Sequence, residues 1–422
     1  MWSSFFAWAA ATGNLALRHL SLRQDADAAT TSTEPVLLIG GGPSGTIAAA
    51  TFDGTTFAII ANNTLPGTSP SWLLYKDPNL VYAVDENSNS TRLFQFDATT
   101  NAFDLLHEEQ GSQGVVYLSF NLDATRMVGA AYGAGQVDVW DVSAGAGGLT
   151  LLKQIASDDP LGPNAARQEA PHPHQALLDP SGRFFVVNDL GTDTLLVLDT
   201  RDDAFAVVNR VRVPDAGCGP RHAAFFPATG AGADVPTNYL VVCELLSLVE
   251  VFALNVTGDA DGDGGNLTFQ HLQSISTFDP LQPPANASTA TAAEIVVSAD
   301  NQHAYVSNRN TGHATDSVAH FGLTGAIGAT SGDALVLTFV ETISSGGLQP
   351  RMVSLSTTDG SEALLFAANQ DGAAGLLAIA RDSTSGNLTA DAASAPSVPL
   401  SVFGPAGNGP QYVQQVPIVL TT

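Results

Sequence analysis

Eight residues between positions 172 and 351 have the types and neighbours to do chemistry. They are His172 and His174 in a P-H-P-H segment, Arg221 and His222 in G-P-R-H, Glu244 in C-E-L, Glu294 in A-E-I, Arg309 in S-N-R and Arg351 in Q-P-R. Guanidinium groups bind carboxylate or phosphate in bidentate fashion. Imidazole and carboxyl groups beside them move protons near neutral pH. Gathered in one place, such a set suits an anionic small molecule and acid–base chemistry, and needs neither metal nor cofactor. The arginines are conspicuous because cations are scarce. The 422 residues hold 41 Asp+Glu against 15 Lys+Arg, a net charge of −26, and the lysines are only Lys76 and Lys153. Each residue also has a structural reading. In extended P-H-P-H the two imidazoles point to the same side, so one can simply buttress the other. Asn188, Asp189, Asn308, Asn369 and Gln370 precede turns, where such side chains serve the backbone.

What gathers residues so far apart is a repeat. The unit HPHQALLDPSGRFFVVNDLGTDTLLVLD, His172 to Asp199, reads as strand, D-P-S-G-R turn, strand, G-T-D turn, strand. The cadence recurs from Ser71, Gly114, Pro220, Ala293 and Pro350. A seventh unit assembles from N-terminal strands (VLLIG, GTIAAATFD, TFAIIA) and a C-terminal one (QYVQQVPIVL). Repeats of about 40–50 residues with four strands each predict an all-β, seven-bladed propeller. It spans 35–422 as one domain, with blades of four antiparallel strands and a ring closed by both terminal segments. In an antiparallel hairpin the start of one strand lies beside the end of the next. Those two places in every blade therefore share one rim. His172 and His174, Arg221, His222 and Glu244, Glu294 and Arg309, and Arg351 all occupy such places.

Composition excludes several partners. So acidic a chain repels nucleic acid and an anionic membrane surface. No run of eighteen apolar residues predicts a transmembrane helix. Two cysteines, Cys218 and Cys243, make neither a disulfide scaffold nor a cysteine-based zinc site; they form one bridge or remain separate thiols. Residues 1–34 read as a signal peptide and leader, from the apolar run Trp2 to Thr12. Its first cations, Arg18 and Arg23, follow that run, which suits a transit peptide as the alternative. Sequons begin at Asn62, Asn89, Asn255, Asn266, Asn286 and Asn387. Together these predict a secreted glycoprotein, with cytoplasm or mitochondrion as alternatives.

Two motifs point elsewhere. Gly40, Gly42 and Gly45 fit the dinucleotide fingerprint, but the continuation TFDGTTFAIIANNT lacks a helical pattern and an acid at the ribose position. A Gly-rich hairpin turn is expected instead. Asp259, Asp261, Asp263 and Gly264 resemble the start of a calcium loop, but its twelfth position is Gln270 where a bidentate Glu is needed. A solvated inter-strand loop is expected.

PHPHQALLDPSGRFFVVNDLGTD, GPRHAAFFP, VVCELLSLVEVF, AEIVVSADNQHAYVSNRN and LQPRMVSL resemble, in combination, the lactonase family of seven-bladed propellers. That family includes 6-phosphogluconolactonases and fungal carboxy-cis,cis-muconate cyclases. The resemblance is strong over about 170–375 and rests on blade cadence elsewhere. It implies catalytic roles for His174, Arg221, Glu244 and Arg309; the rim positions add His172, His222, Glu294 and Arg351 at the substrate. The chain departs from the family at ADNQHAY, 299–305, and in long segments at 227–237 and 257–292. On this reading the protein makes or opens a lactone on a small polycarboxylate, most like a carboxymuconate cyclase. His174 or Glu244 would be the general acid, and the arginines would stabilise an enolate-like transition state. The alternatives are 6-phosphogluconolactone hydrolysis and a non-catalytic propeller that binds a ligand or partner on the same rim.

Overall fold

The computed structural model describes residues 35–145, 147–228, 236–257, 265–325, 334–357, 360–389, 395–418 and 420. The expected leader, 1–34, and the calcium-like Asp259, Asp261, Asp263 and Gly264 lie outside them. The described residues form seven antiparallel sheets and no α-helix. Each sheet is a blade of four strands; in the sixth blade the outermost edge is split between Leu388–Thr389 and Ser397–Pro399. The inner strands are Leu73–Lys76, Val115–Phe120, Pro173–Leu178, Pro220–Phe226, Thr291–Val297, Leu348–Leu355 and Tyr412–Val416.

The last of these closes the ring. Tyr412–Val416 pairs with Val36–Gly41, which is followed in the same sheet by Thr46–Phe52 and Phe57–Thr64. The Gly-rich run is thus a hairpin turn, as its sequence suggests. Gly42 and Gly45 have φ of +75° and +71°, the left-handed region glycine tolerates. A Cβ on Gly45 would also collide with the Leu65 carbonyl. No helix follows to receive a pyrophosphate.

Strand alternation determines how blades pack. Successive side chains face opposite sides of a sheet. Val36 and Leu38 therefore join one apolar cluster with Val81, Phe94 and Phe96 of the first blade. Leu37 and Ile39 join another with Phe366, Ala368 and Leu376 of the sixth. The same division recurs around the ring, giving an apolar layer between every pair of neighbouring blades. Each fully buried Leu, Ile or Phe in these layers contributes about 1.5–3 kcal/mol.

The rim is built as expected. Pro173 pairs with Asp189, Pro220 with Cys243, Thr291 with Arg309 and Pro350 with Asn369. The ladder then slips in each of these four blades: between Pro173 and Gln175, Pro220 and Ala223, Ala292 and Ile295, and Pro350 and Met352. The residues left over are His174, Arg221 with His222, Ala293 with Glu294, and Arg351. A bulge bends the strand and re-aims the extra side chain. The inner strands thus turn polar residues into the ring at positions where a regular ladder would alternate them.

If inter-blade layers carry the stability, Leu38→Ala, at a fully buried site, should cost ~2–5 kcal/mol in denaturant unfolding while leaving the β-rich circular dichroism intact. A loss under about 0.5 kcal/mol would contradict this packing.

Candidate active site

Glu244 occupies the centre of the rim. It follows Cys243, the last residue of the second strand in the fourth blade, and is 3% exposed. Three arginines converge on its carboxylate. Arg221 Nε and Arg309 Nη2 lie 2.9 and 2.8 Å from Oε2, and Arg167 Nη2 lies 2.5 Å from Oε1. Burial alone would push this carboxyl up, but the Arg309, Arg221 and Arg167 charges together hold it at about 2. Glu244 is therefore a fixed anion, with no proton to exchange at ordinary pH. Arg221 Nη1 also donates to the Ala293 carbonyl at 2.8 Å. Desolvation and the Arg309 charge press Arg221 below its ordinary value, with Glu244 working the other way.

A second ion pair stands across the ring. Arg351 Nη2 is 3.2 Å from Glu86 Oε2. Burial raises Glu86, but the Arg351 charge and the Ser71 hydroxyl outweigh it and leave the carboxyl below its usual range. Four arginines thus pair directly with two carboxylates, Glu244 and Glu86, while Glu294 acts on Arg221 and Glu169 on Arg167 from further off.

The histidines lie beside this cluster. His174 is buried, and its Nδ1 has no hydrogen-bond partner. Desolvation first, then the Arg221 charge, hold it well below the usual imidazole range, so it is neutral. Its ring meets that of His222 edge-on at 5.0 Å. His222 Nδ1 is 2.9 Å from Glu294 Oε2, while its Nε2 is buried and unpartnered. Burial lowers His222, partly offset by Glu294. Below them, Trp72 packs on Tyr117 at 4.2 Å and edge-on against His222 and Tyr412. These rings narrow the central channel, whose far side opens as a 370 Å³ cavity touching Glu294 and Gln175.

The structure therefore gathers Arg221, Glu244, Arg309 and Arg351 at one level, with His174 beside them and the His222–Glu294 pair one layer deeper. His172 stands apart. Its ring stacks on Tyr132 at 4.1 Å, and its nitrogens contact the Tyr132 carbonyl and Glu169. It buttresses Tyr132, which in turn meets His174 edge-on. Asn188, Asn308 and Asn369 bond backbone carbonyls of neighbouring segments, as turn-associated side chains do.

Two participants escape the sequence reading. Glu86 follows Asp85 just as Glu244 follows Cys243 and Arg309 follows Asn308, so its place after a second strand was a usable signal. Asp85 itself organises the turn through Ser69, Asn87 and Ser88. Arg167 lies in the connection ahead of the third blade, where no strand cadence marks it. The cysteines are bonded: Cys218–Cys243 ties the residue before Glu244 to the segment leading into Arg221.

Beside the ring lies a cavity of 670 Å³. Its polar lining includes Asn164, Arg167, Thr291, Asn310 and Gln349. Asp316 also lines it, but its oxygens accept from the Asn310, Thr311 and Gln349 amides and the Thr311 hydroxyl.

A propeller with this rim defines a lactonase-type protein, and comparison agrees. The chain belongs to the lactonase family of seven-bladed β-propellers: the profile described as "Lactonase, 7-bladed beta-propeller" matches residues 28–402. An Arthroderma benhamiae protein with the name probable 6-phosphogluconolactonase is 31% identical over 277 residues, covering 64% of this chain and 65% of that one. The match thus spans just under two thirds of that relative's length. An uncharacterized Staphylococcus saprophyticus protein is 31% identical over 275 residues, 64% of this chain and 68% of its own. Two solved structures share the fold. A Bacteroides fragilis protein provisionally named a 6-phosphogluconolactonase has a TM-score of 0.71 at 23% identity, covering 92% of this chain and 100% of its own. A Pseudomonas aeruginosa periplasmic gluconolactonase has a TM-score of 0.67 at 22% identity, covering 90% and 99%.

The acid limb of stability should report this centre. Glu244, lowered from 4.5 to about 2, contributes fully above the ordinary carboxylate range and loses that contribution as pH falls toward 2. His174 and His222, lowered from 6.5, add the same sign: below that value the unfolded chain binds protons the folded chain refuses. Glu244→Gln should cost ~3–5 kcal/mol at neutral pH by leaving buried arginines uncompensated. Its denaturation midpoint should also depend less on pH between about 5 and 2 than that of the wild type. Parallel acid limbs in the two proteins would remove the assignment.

Proposed function

We propose that the protein is a lactonase that hydrolyses a sugar lactone, the cyclic ester of a polyhydroxy acid. The observation that carries this reading is His174, a neutral buried imidazole with an unpartnered nitrogen, beside guanidinium groups whose counter-ion cannot take up a proton. Neutral imidazole accepts a proton from water as that water attacks the lactone carbonyl. The carbonyl oxygen becomes an oxyanion, which the fixed charges of Arg221, Arg309 and Arg351 stabilise. Collapse breaks the bond from the carbonyl carbon to the ring oxygen. His174 returns its proton to that oxygen, leaving an alcohol and a carboxylic acid, which ionises. Glu244 acts here as the counter-ion that orients the arginines, not as the acid or base. His222, fixed by Glu294, holds the plane of His174 from below.

The cavity supports a sugar over a muconate. Asn164, Asn310 and Gln349 offer neutral amides suited to a polyol, whereas a carboxymuconate would bring three carboxylates to a lining whose one Lys or Arg among the described residues is Arg167. The name of the Arthroderma relative points the same way. A 6-phosphogluconolactone is one member of the proposed class, and the fourth arginine, Arg167, adds to the basic character a phosphate requires. The Cys218–Cys243 bond and the exposed sequon residues Asn62, Asn255, Asn286 and Asn387 support an oxidising compartment outside the cytoplasm.

The test is an assay of wild type, His174→Ala and Arg309→Ala on gluconolactone, 6-phosphogluconolactone and carboxymuconate. Wild type should open a sugar lactone. His174→Ala should lose roughly 10²–10⁴-fold in kcat, Arg309→Ala roughly 10²–10³-fold, both with circular dichroism unchanged. A wild type that cyclises carboxymuconate, or is inert on all three, would overturn the proposal.

A further inference from the structure

Three arginines hold Glu244, but they are not equivalent. The Arg221 side chain is 2% exposed and that of Arg309 13%, whereas that of Arg167 is 40%. Arg167 is also the only Lys or Arg among the described residues lining the 670 Å³ cavity. One nitrogen reaches Glu244, and the side chain also acts electrostatically on Tyr132. A guanidinium carries five N–H donors, so donors remain for the cavity. The carboxylate that could compete for them there, Asp316, is consumed by three backbone amides and a hydroxyl. His172 and Glu169 brace Tyr132 from behind, so the Arg167 partner is itself held in place.

We infer that Arg167 is the specificity-determining residue of an anion subsite, which binds a phosphate or carboxylate carried at the far end of the sugar lactone. This deepens the lactonase reading and rests on it. With the lactone carbonyl at His174 and the buried arginines, a six-carbon chain would pass Glu244 toward the cavity, to which Arg167 links the Glu244 cluster. Its hydroxyls meet the amides of Asn164, Asn310 and Gln349, and its terminal anion meets Arg167. The same geometry explains how a protein of net charge −26 can hold an anion: the positive end is local and, at contact, little screened. Asn164 sits on the same connection, three residues ahead of Arg167, and also lines the cavity.

The experiment compares Arg167→Gln, Arg167→Lys and wild type on three lactones: uncharged gluconolactone, 6-phosphogluconolactone and the carboxylate-bearing lactone of glucaric acid. In Arg167→Gln, KM for at least one anionic lactone should rise about 10- to 100-fold, the worth of a charge-assisted hydrogen bond. Arg167 also pairs with Glu244, so any loss through that cluster falls on gluconolactone as well, and KM for the anionic lactone should rise by this factor beyond any rise for gluconolactone. Arg167→Lys should recover part of the loss. Whichever anionic lactone responds identifies the anion. In wild type alone, inorganic phosphate should compete with the anionic lactone, which tests the subsite even if the Gln variant fails to fold. Equal rises in KM for charged and uncharged lactones, or no competition by phosphate, would overturn the subsite and leave the lactonase reading standing. A wild type inert on all three lactones would overturn the reading itself.

Discussion

One carboxylate, Glu244, neutralises guanidinium groups that arrive from three separate stretches of chain. Arg221 comes from the inner strand of its own blade, Arg309 from the second strand of the next, and Arg167 from the connection entering the blade before. Arg221 and Arg309, the buried two, are not tolerable alone, because desolvating an unpaired ion costs several kcal/mol. The ion cluster therefore ties three consecutive blades together at the channel mouth. Arg351, paired with Glu86, adds a fourth guanidinium. These groups are what a small anion or a developing oxyanion would meet.

The fold delivers these side chains by a local irregularity repeated around the ring. A strict ladder alternates residues between two faces, so adjacent residues such as Arg221 and His222 would point apart. The unpaired residues in the third to sixth inner strands relax that rule. In the third to sixth inner strands the shift falls at the rim end, where polar groups are needed; other shifts lie between the third and fourth strands of the blades. Stability and chemistry are thus assigned to different ends of the same strands.

Most of the architecture is legible in the sequence, because period-two alternation and Gly/Asp turns are local signals. The seventh blade is legible too, as a set of strands lacking partners at both ends of the chain. The rim follows from antiparallel geometry alone, which is why Arg221, Glu244, Arg309 and Arg351 can be placed together before any coordinates. Three things are not local. The bulges depend on register between strands, so alternation cannot foretell that both Arg221 and His222 turn inward. The partner of Arg351, Glu86, lies 265 residues away. Arg167 sits in a connection without periodicity, and only packing brings it to Glu244. The P-H-P-H segment divides for a further reason: Tyr132 stacks on His172, which leaves His174 as the histidine facing the ring.

The clasp of the seventh blade has a mechanical consequence. Val36 is opposite Val416 and Gly40 is opposite Tyr412 in its ladder. Residues 35 and 417 therefore leave the sheet side by side. Tension between those two points would load the hydrogen bonds one after another, as a zipper is opened, and not all at once in shear. The seam consequently resists a pull across its strands less than a pull along them. Force spreading any other pair of blades must instead peel apart a broad apolar layer.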